Sequence, residues 1–181
     1  MEQAFREIVF ETVLGPVALF CDSEEKWLKK LVFVAEEGGR MFSFSSKVPL
    51  LKEAKKQLLD YLAGKCTHFD LPLLPEGSPF QQRVWEALLT IPYGETRSYK
   101  DIALALGQPG ASRAVGNANG RNPLPLFIPC HRVIASDGSP GGYRSGLFRK
   151  GFLLDLEAGS RSLRTVGIAT VERKTRAGYA V

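Results

Sequence analysis

A cysteine and a histidine stand side by side at Cys130-His131, with Arg132 next, near the end of residues 120–134: Gly-Arg-Asn-Pro-Leu-Pro-Leu-Phe-Ile-Pro-Cys-His-Arg-Val-Ile. A free thiol has a pKa near about 8.5, so little of it is thiolate at neutral pH. A base or a positive field must make it a nucleophile. His131 and Arg132 are the candidates to supply these, His131 through a bridging water because adjacent residues need not face each other. Pro123, Pro125 and Pro129 remove amide donors and fix φ, so the approach to Cys130 is rigid and non-helical. The expectation is a sulfur held in place and ionised. The competing reading is a buried structural cysteine. Cys66-Thr67-His68 offers the same pair of residue types and is read as structural or superficial. With Cys21 added there are enough ligand types for zinc, but no Cys-x-x-Cys or paired spacing, so neither metal nor cofactor is expected.

The elements that must position this segment are legible around it. Residues 138–146, rich in glycine, read as a flexible loop that either closes over a ligand or simply connects, and 147–157 read as a helix of mixed apolar character. Upstream, Ser78-Pro79 is an N-cap with proline at the first helical position, and Phe80, Val84 and Leu88 give that helix its stripe before Ile91-Pro92 ends it. Ser98 with Asp101 resembles a capping box that opens a helix over 99–106, stopped by Gly107. A second helix over 110–119 gives the pair the dimensions of a helix-turn-helix, or of any αα-hairpin. Its Ala111-Ser112-Arg113-Ala114-Val115-Gly116-Asn117-Ala118 is unusually small. A helix is roughly 10–12 Å across with side chains, and the minor groove is about 6 Å wide, so a stripped face permits close approach to DNA. Tight helix–helix packing uses small residues equally well. Near the N-terminus, runs at 6–14, 17–21 and 27–34 predict an antiparallel hairpin and its extension. Leu50, Ala54, Leu58 and Leu62 predict a surface helix stopped at Gly64. The punctuated stretch 65–77 reads as a link, with a domain boundary near residue 77.

The chain has 181 residues, 44% hydrophobic and 24% charged, the balance of an ordinary soluble globular protein. Its length suffices to bury roughly 70% of the unfolded surface without disulfide or metal staples. Three cysteines, an odd and sparse number, point to a reducing compartment, taken as the cytoplasm. An acidic start with Glu2, Glu7 and Glu11 and the lack of any long apolar run argue against a signal peptide and a membrane span. Residues 1–80 hold 10 basic and 12 acidic groups, whereas 81–181 hold 14 and 7. A polyanion met by the C-terminal part suits that asymmetry.

Taken together, Pro129-Cys130-His131-Arg132-Val133-Ile134, preceded by Arg113-Ala114-Val115-Gly116 and Asn122-Pro123 and followed by Gly141-Gly142-Tyr143 and a Lys-x-x-Leu-Leu-x-Leu-Glu ending at Glu157, resemble the methylated-DNA–protein-cysteine methyltransferases. Val84-Trp85, Ile91-Pro92-Tyr93-Gly94 and Ser98-Tyr99 extend the likeness over residues 80–157. The resemblance implies a mixed α/β (α+β) protein: an N-terminal ribonuclease-H-like lobe with a small antiparallel sheet (1–77), and a C-terminal helical lobe with a helix-turn-helix (78–157). A basic tail, 158–181, lies beyond, touching phosphates or fraying.

The resemblance also implies roles. Cys130 accepts the alkyl group, His131 draws off its proton through a water, Glu157 orients that histidine, and Asn122 hydrogen-bonds near the thiolate. Tyr99 crowds the target phosphate and protonates the departing guanine. Arg113 fills the gap left by the extruded base, on a DNA-facing surface shared with Ala114, Gly116 and Ala118. Tyr143, Val133, Arg144, Ser145, Pro125 and Lys150 border the substrate pocket. The implied partner is double-stranded DNA containing O6-alkylguanine, met by a monomer that acts once. The competing readings are a non-catalytic alkyltransferase-like lesion binder, opposed by the presence of Cys130; a helix-turn-helix regulator, for which the small-residue helix is poorly equipped; and a cysteine hydrolase, which lacks an oxyanion-hole motif.

Overall fold

The computed structural model describes residues 6–34 and 46–159. The tail expected over 158–181 lies outside the described residues beyond Gly159.

Three strands, β1 (Arg6–Phe10), β2 (Val17–Cys21) and β3 (Leu28–Phe33), form an antiparallel sheet in chain order, with Phe10 opposite Val17 and Leu19 opposite Leu31. The first turn is closed by the Thr12 hydroxyl, which accepts from Leu14 N and donates to the Gly15 carbonyl. Asp22 makes the second by accepting from the amides of Lys26 and Trp27, the local bonding that makes aspartate a turn residue. Helix α1 (Pro49–Leu62) covers one face of the sheet with Leu51, Ala54, Leu58, Tyr61 and Leu62. The stripe differs from the expected one: Leu50 is only partly buried, and Tyr61 is completely so. The stretch after α1 is more than a link, because Leu28 N donates to Pro72 O and Leu74 N to Leu28 O, laying it along β3.

The C-terminal part is helical. In α2 (Pro79–Leu89), Ser78 and Gln81 form a reciprocal capping box, and Val84, Trp85 and Leu88 point inward. Strand β4 (Arg97–Ser98) leads into α3 (Tyr99–Ala105), where Ser98 and Asp101 cap each other as expected. Gly107, at φ 69°, turns the chain toward α4 (Ser112–Gly120), which packs on both α2 and α3. Trp85 Nε1 donates to the Ala118 carbonyl at 2.9 Å, pinning α2 to α4. Residues 121–129 follow, then a single 3₁₀ turn at Cys130–Arg132 and β5 (Val133–Ile134), parallel to β4. Helix α5 (Leu147–Glu157) ends the described chain.

One continuous hydrophobic core runs from Ile8 and Leu19 through Tyr61, Trp85 and Phe127 to Leu153 and Leu156. The sheet and the reactive segment are also joined directly, since Leu31 N donates to the Pro123 carbonyl. Among the described residues no helix is long and apolar enough to cross a membrane.

Candidate active site

The approach to Cys130 is built by Asn122. Its Nδ2 donates to Ile128 O at 2.8 Å and its Oδ1 accepts from Leu124 N at 2.9 Å, so one side chain closes the whole turn. Leu126 adopts φ 74° inside that turn, a conformation unfavourable for a γ-branched residue and tolerated because the surroundings fix it. Pro125 is buried in the same turn. From α4, Asn119 Nδ2 donates to the Cys130 carbonyl at 3.2 Å, tying the helix to the backbone of Cys130.

The Cys130 thiol is 3% exposed. Burial pushes its pKa up, against the side chains of Asn122 and Tyr143 and the ammonium of Lys150, which favour the thiolate. The resting group is therefore a thiol, and the sequence-based expectation of an ionised sulfur is corrected. Desolvation outweighs the charges around it. The source of the positive field is also corrected. Arg132 is engaged elsewhere, and the cation that supports the sulfur is Lys150, wholly buried on α5, whose Nζ donates to Val133 O at 2.5 Å and Gly142 O at 3.5 Å. Burial lowers the Lys150 pKa to about 8, in spite of Cys130.

His131, next to Cys130 in the chain, is fully buried, with Nε2 2.6 Å from Glu157 Oε1. Burial pushes the Glu157 carboxyl up, but the hydrogen bond and charge of His131, then Arg132 and Tyr61, prevail and bring it to about 2. Because Glu157 is a carboxylate, the neutral imidazole carries its proton on Nε2. His131 Nδ1, buried and without a protein partner, is left as a bare lone pair, ready to take a proton. Burial also lowers the imidazole's pKa, with Glu157 opposing, so His131 is a neutral base at neutral pH.

Glu157 is held by more than its histidine. Arg132 donates from Nε to Oε2 at 2.8 Å and from Nη2 to Oε1 at 3.2 Å, while its Nη1 reaches Ile91 O at 2.6 Å. Gly94 N donates to Oε2 at 3.0 Å, and Tyr61 Oη to Oε1. Gly94 has φ 79°, and a Cβ there would stand 3.0 Å from the Glu157 carbonyl, so the position accepts only glycine without a shift. The Ile91-Pro92-Tyr93-Gly94 stretch is thus a bracket for the Arg132–Glu157 pair.

The remaining expected residues fall into separate places. Tyr99 sits at the start of α3 with its ring beside Gly116 and Gly141, and its hydroxyl donates to Gly142 O at 3.4 Å. A Cβ at Gly141, where φ is 64°, would come within 3.0 Å of that ring. Tyr143 turns its hydroxyl inward toward Cys130, where it has no other partner. Val133 is buried, Ser145 accepts from Arg149 Nη1 through its carbonyl, and Arg144 is exposed. On α4, Arg113 and Ala114 are exposed and Gly116 is half-buried, but Ala118 is buried against α2. Ala118 therefore cannot face DNA as expected; it is buried, and its carbonyl accepts from Trp85. A cleft at the β4–β5 pair and the start of α3 is lined by Arg97, Ser98, Lys100, Asp101, Ile134 and Ser136, among others. Sequence reasoning missed Tyr61, Asn119 and the attachment of Arg132. A tyrosine on an apolar helix stripe was the one available signal, because a buried phenol seeks a partner.

Fold and site together set a buried cysteine and a buried histidine–carboxylate pair behind the two short helices α3 and α4. Residues 79–159 match the family model described as 6-O-methylguanine DNA methyltransferase, DNA binding domain. The chain is 49% identical over 153 residues to the methylated-DNA–protein-cysteine methyltransferase of Methanosarcina barkeri, covering 82% of this chain and 94% of that one. The constitutive enzyme of that name from Bacillus subtilis is 55% identical over 112 residues, 61% of this chain and 68% of its own. Among solved structures, O6-methylguanine methyltransferase from Mycobacterium tuberculosis superposes with a TM-score of 0.76 at 42% identity, covering 88% of this chain and 96% of that one. OGT from the same organism in complex with DNA gives 0.74 at 44% identity, covering 83% and 91%. The chain belongs to the methylated-DNA–protein-cysteine methyltransferase family.

Proposed function

We propose that this chain is a DNA-repair protein that takes the alkyl group of O6-alkylguanine from duplex DNA onto Cys130, once per molecule, as a methylated-DNA–[protein]-cysteine S-methyltransferase. The observation that carries the reading is that His131, adjacent in the chain to the buried Cys130, has its Nε2 committed to Glu157 and a buried Nδ1 without a protein partner. The names of the relatives and the DNA bound to the Mycobacterium tuberculosis structure support it. DNA is the partner. The protein acts as a monomer in the cytoplasm, with residues 1–77 and 78–157 as its two lobes.

The thiol proton passes to His131 Nδ1 through a bridging water, and Glu157 stabilises the imidazolium that forms. The thiolate, favoured by Asn122, Tyr143 and Lys150, attacks the alkyl carbon in line with the bond to O6. The S–C bond forms as the C–O bond breaks, and its electron pair stays on O6. Tyr99 protonates the departing guanine and is reprotonated in turn, so the thiol proton ends on guanine overall. The thioether is not cleaved again, which limits each molecule to one event.

Extrusion of the base costs a few kcal/mol in stacking and pairing. Arg113, exposed on α4, offsets part of that by filling the gap, while Ala114 and Gly116 keep the helix slim enough to approach. Arg97 and Lys100 in the neighbouring cleft suit backbone phosphates. Tyr143, Val133, Arg144, Ser145, Pro125 and Lys150 border the purine. With Cys130 3% exposed, the 138–146 loop gives way to admit it.

The test is intact and peptide mass spectrometry after mixing with duplex DNA containing O6-methylguanine. One methylene's mass on the Cys130 peptide, once per molecule, is expected. An unmodified peptide with the DNA still methylated would sink the reading, and retained lesion affinity in that case would favour the non-catalytic binder.

A further inference from the structure

The carboxylate that serves His131 is gripped from the far side by a residue of the sheet-covering helix. Tyr61 lies on α1, 96 residues away from Glu157 in the chain, and is wholly buried. Its hydroxyl donates to Oε1, the same oxygen that His131 Nε2 meets at 2.6 Å, and stands 3.5 Å from Nε2 itself. Two donors therefore compete for one oxygen. Hydrogen bonds to the charged form of a carboxylate spread its charge and lower its pull on any other single donor. How much of that charge reaches the histidine depends on the phenol.

The ring and the hydroxyl of Tyr61 do separable things. The ring packs against Phe69 at 4.8 Å between centroids and edge-on to Tyr93 at 5.9 Å, which phenylalanine would do as well. The hydroxyl alone touches the site. Burial and the negative charge of Glu157 raise the phenol's pKa, so it remains a donor at every working pH.

We propose that Tyr61 is a positioning residue for alkyl transfer, whose hydroxyl, by sharing Glu157 Oε1 with His131, sets the basicity of the histidine that takes the Cys130 proton. The helical domain's chemistry is thereby tuned from α1. The inference rests on the alkyl-transfer reading above. The other charged or titratable groups facing the pair are Arg132 from the same turn, Lys150 on α5, Tyr93 from the α2–β4 connection, and Cys130 and Tyr143 beside the thiol.

Tyr61→Phe deletes one competitor for Oε1, so His131 binds its proton more tightly. The chain has two histidines, which makes ring-nitrogen NMR direct: the His131 titration should move up by roughly half a unit to one unit. Transfer from methylated duplex should then lose about three- to tenfold on the acid limb, at pH values below the His131 titration midpoint, and stay within about twofold well above it, because the acid limb reports the neutral base. A merely structural role would scale the rate equally at all pH values. Site-specific 3-fluorotyrosine at position 61 keeps the shape and strengthens the donor, and it should shift the His131 titration and the acid limb downward. If Tyr61→Phe fails to fold, this variant decides. Unchanged titration, or a shifted titration with an unmoved rate profile, would overturn the proposal while the unaltered protein still transfers. Failure of the unaltered protein to transfer would instead overturn the functional reading and the proposal with it.

Discussion

Arg132 and Glu157 meet edge to edge in the interior, Nε to Oε2 at 2.8 Å and Nη2 to Oε1 at 3.2 Å, with the carboxylate's side chain 1% exposed. A buried pair of this kind contributes little net stability against an apolar substitute, yet breaking it is costly because one charge is left alone. Arg132→Leu should therefore destabilise by about 3–5 kcal/mol in urea unfolding, and Arg132→Lys should recover only a minor part, since an ammonium cannot present the fork. A loss below about 1 kcal/mol would mean that the pair does not organise the site.

Glu157 links the same pair to acid stability. Its folded pKa of about 2 lies below its ordinary value of 4.5, so the folded state holds the carboxylate more strongly than the unfolded chain does. The resulting stability is fully present above about pH 4.5 and is lost as pH falls through about 2. In unfolding curves measured across that window, the unaltered protein should weaken more steeply than Glu157→Gln. Parallel curves would contradict the assignment.

Lys150 acts at the alkaline end. Its pKa, lowered to about 8 by burial, means that the cation beside the sulfur is lost just above neutrality. Lys150→Gln should slow transfer by about tenfold at pH 7, equivalent to one unit in the thiol, and should remove an inflection near pH 8 from the rate profile. The check is stopped-flow transfer over pH 6–9, and an unchanged inflection would exclude the lysine as its source.

The proposed role of Arg113, exposed on α4, separates base extrusion from chemistry: as the gap filler, Arg113→Ala should slow repair of duplex DNA by at least about tenfold and leave reaction with free O6-benzylguanine within about twofold, where that base fits the pocket. Equal losses on both substrates would remove the role of gap filler.

Local signals in the chain were sufficient for the N-terminal strands and the longer helices, while the short β4–β5 pair and the 3₁₀ turn at Cys130 carried no such signal. Ser98 and Asp101 are three residues apart and cap each other; Gly64 and Gly107 end helices at φ values of 68° and 69°; the β1–β2–β3 meander follows from short apolar runs and turn chemistry. Cys130, His131, Asn122 and Glu157 could be nominated because their motifs occur in one order, and the structure brings them together.

What the sequence could not reveal are pairings whose partners lie far apart along it. Nothing near Tyr61 announces that its hydroxyl will end on a carboxylate 96 residues later, and nothing near Arg132 indicates that Glu157 and Ile91 will claim its guanidinium before the thiol can. Nothing near Ala118 shows that it is buried and that its carbonyl accepts from Trp85, 33 residues earlier. Residue type and short-range spacing fix which groups can react and where the backbone bends, since those depend on a few neighbouring torsions and hydrogen bonds. Which groups are desolvated, and which donor wins a shared oxygen, is decided only when the sheet, α1 and α5 close on one core, because burial and competition are properties of the assembled interior.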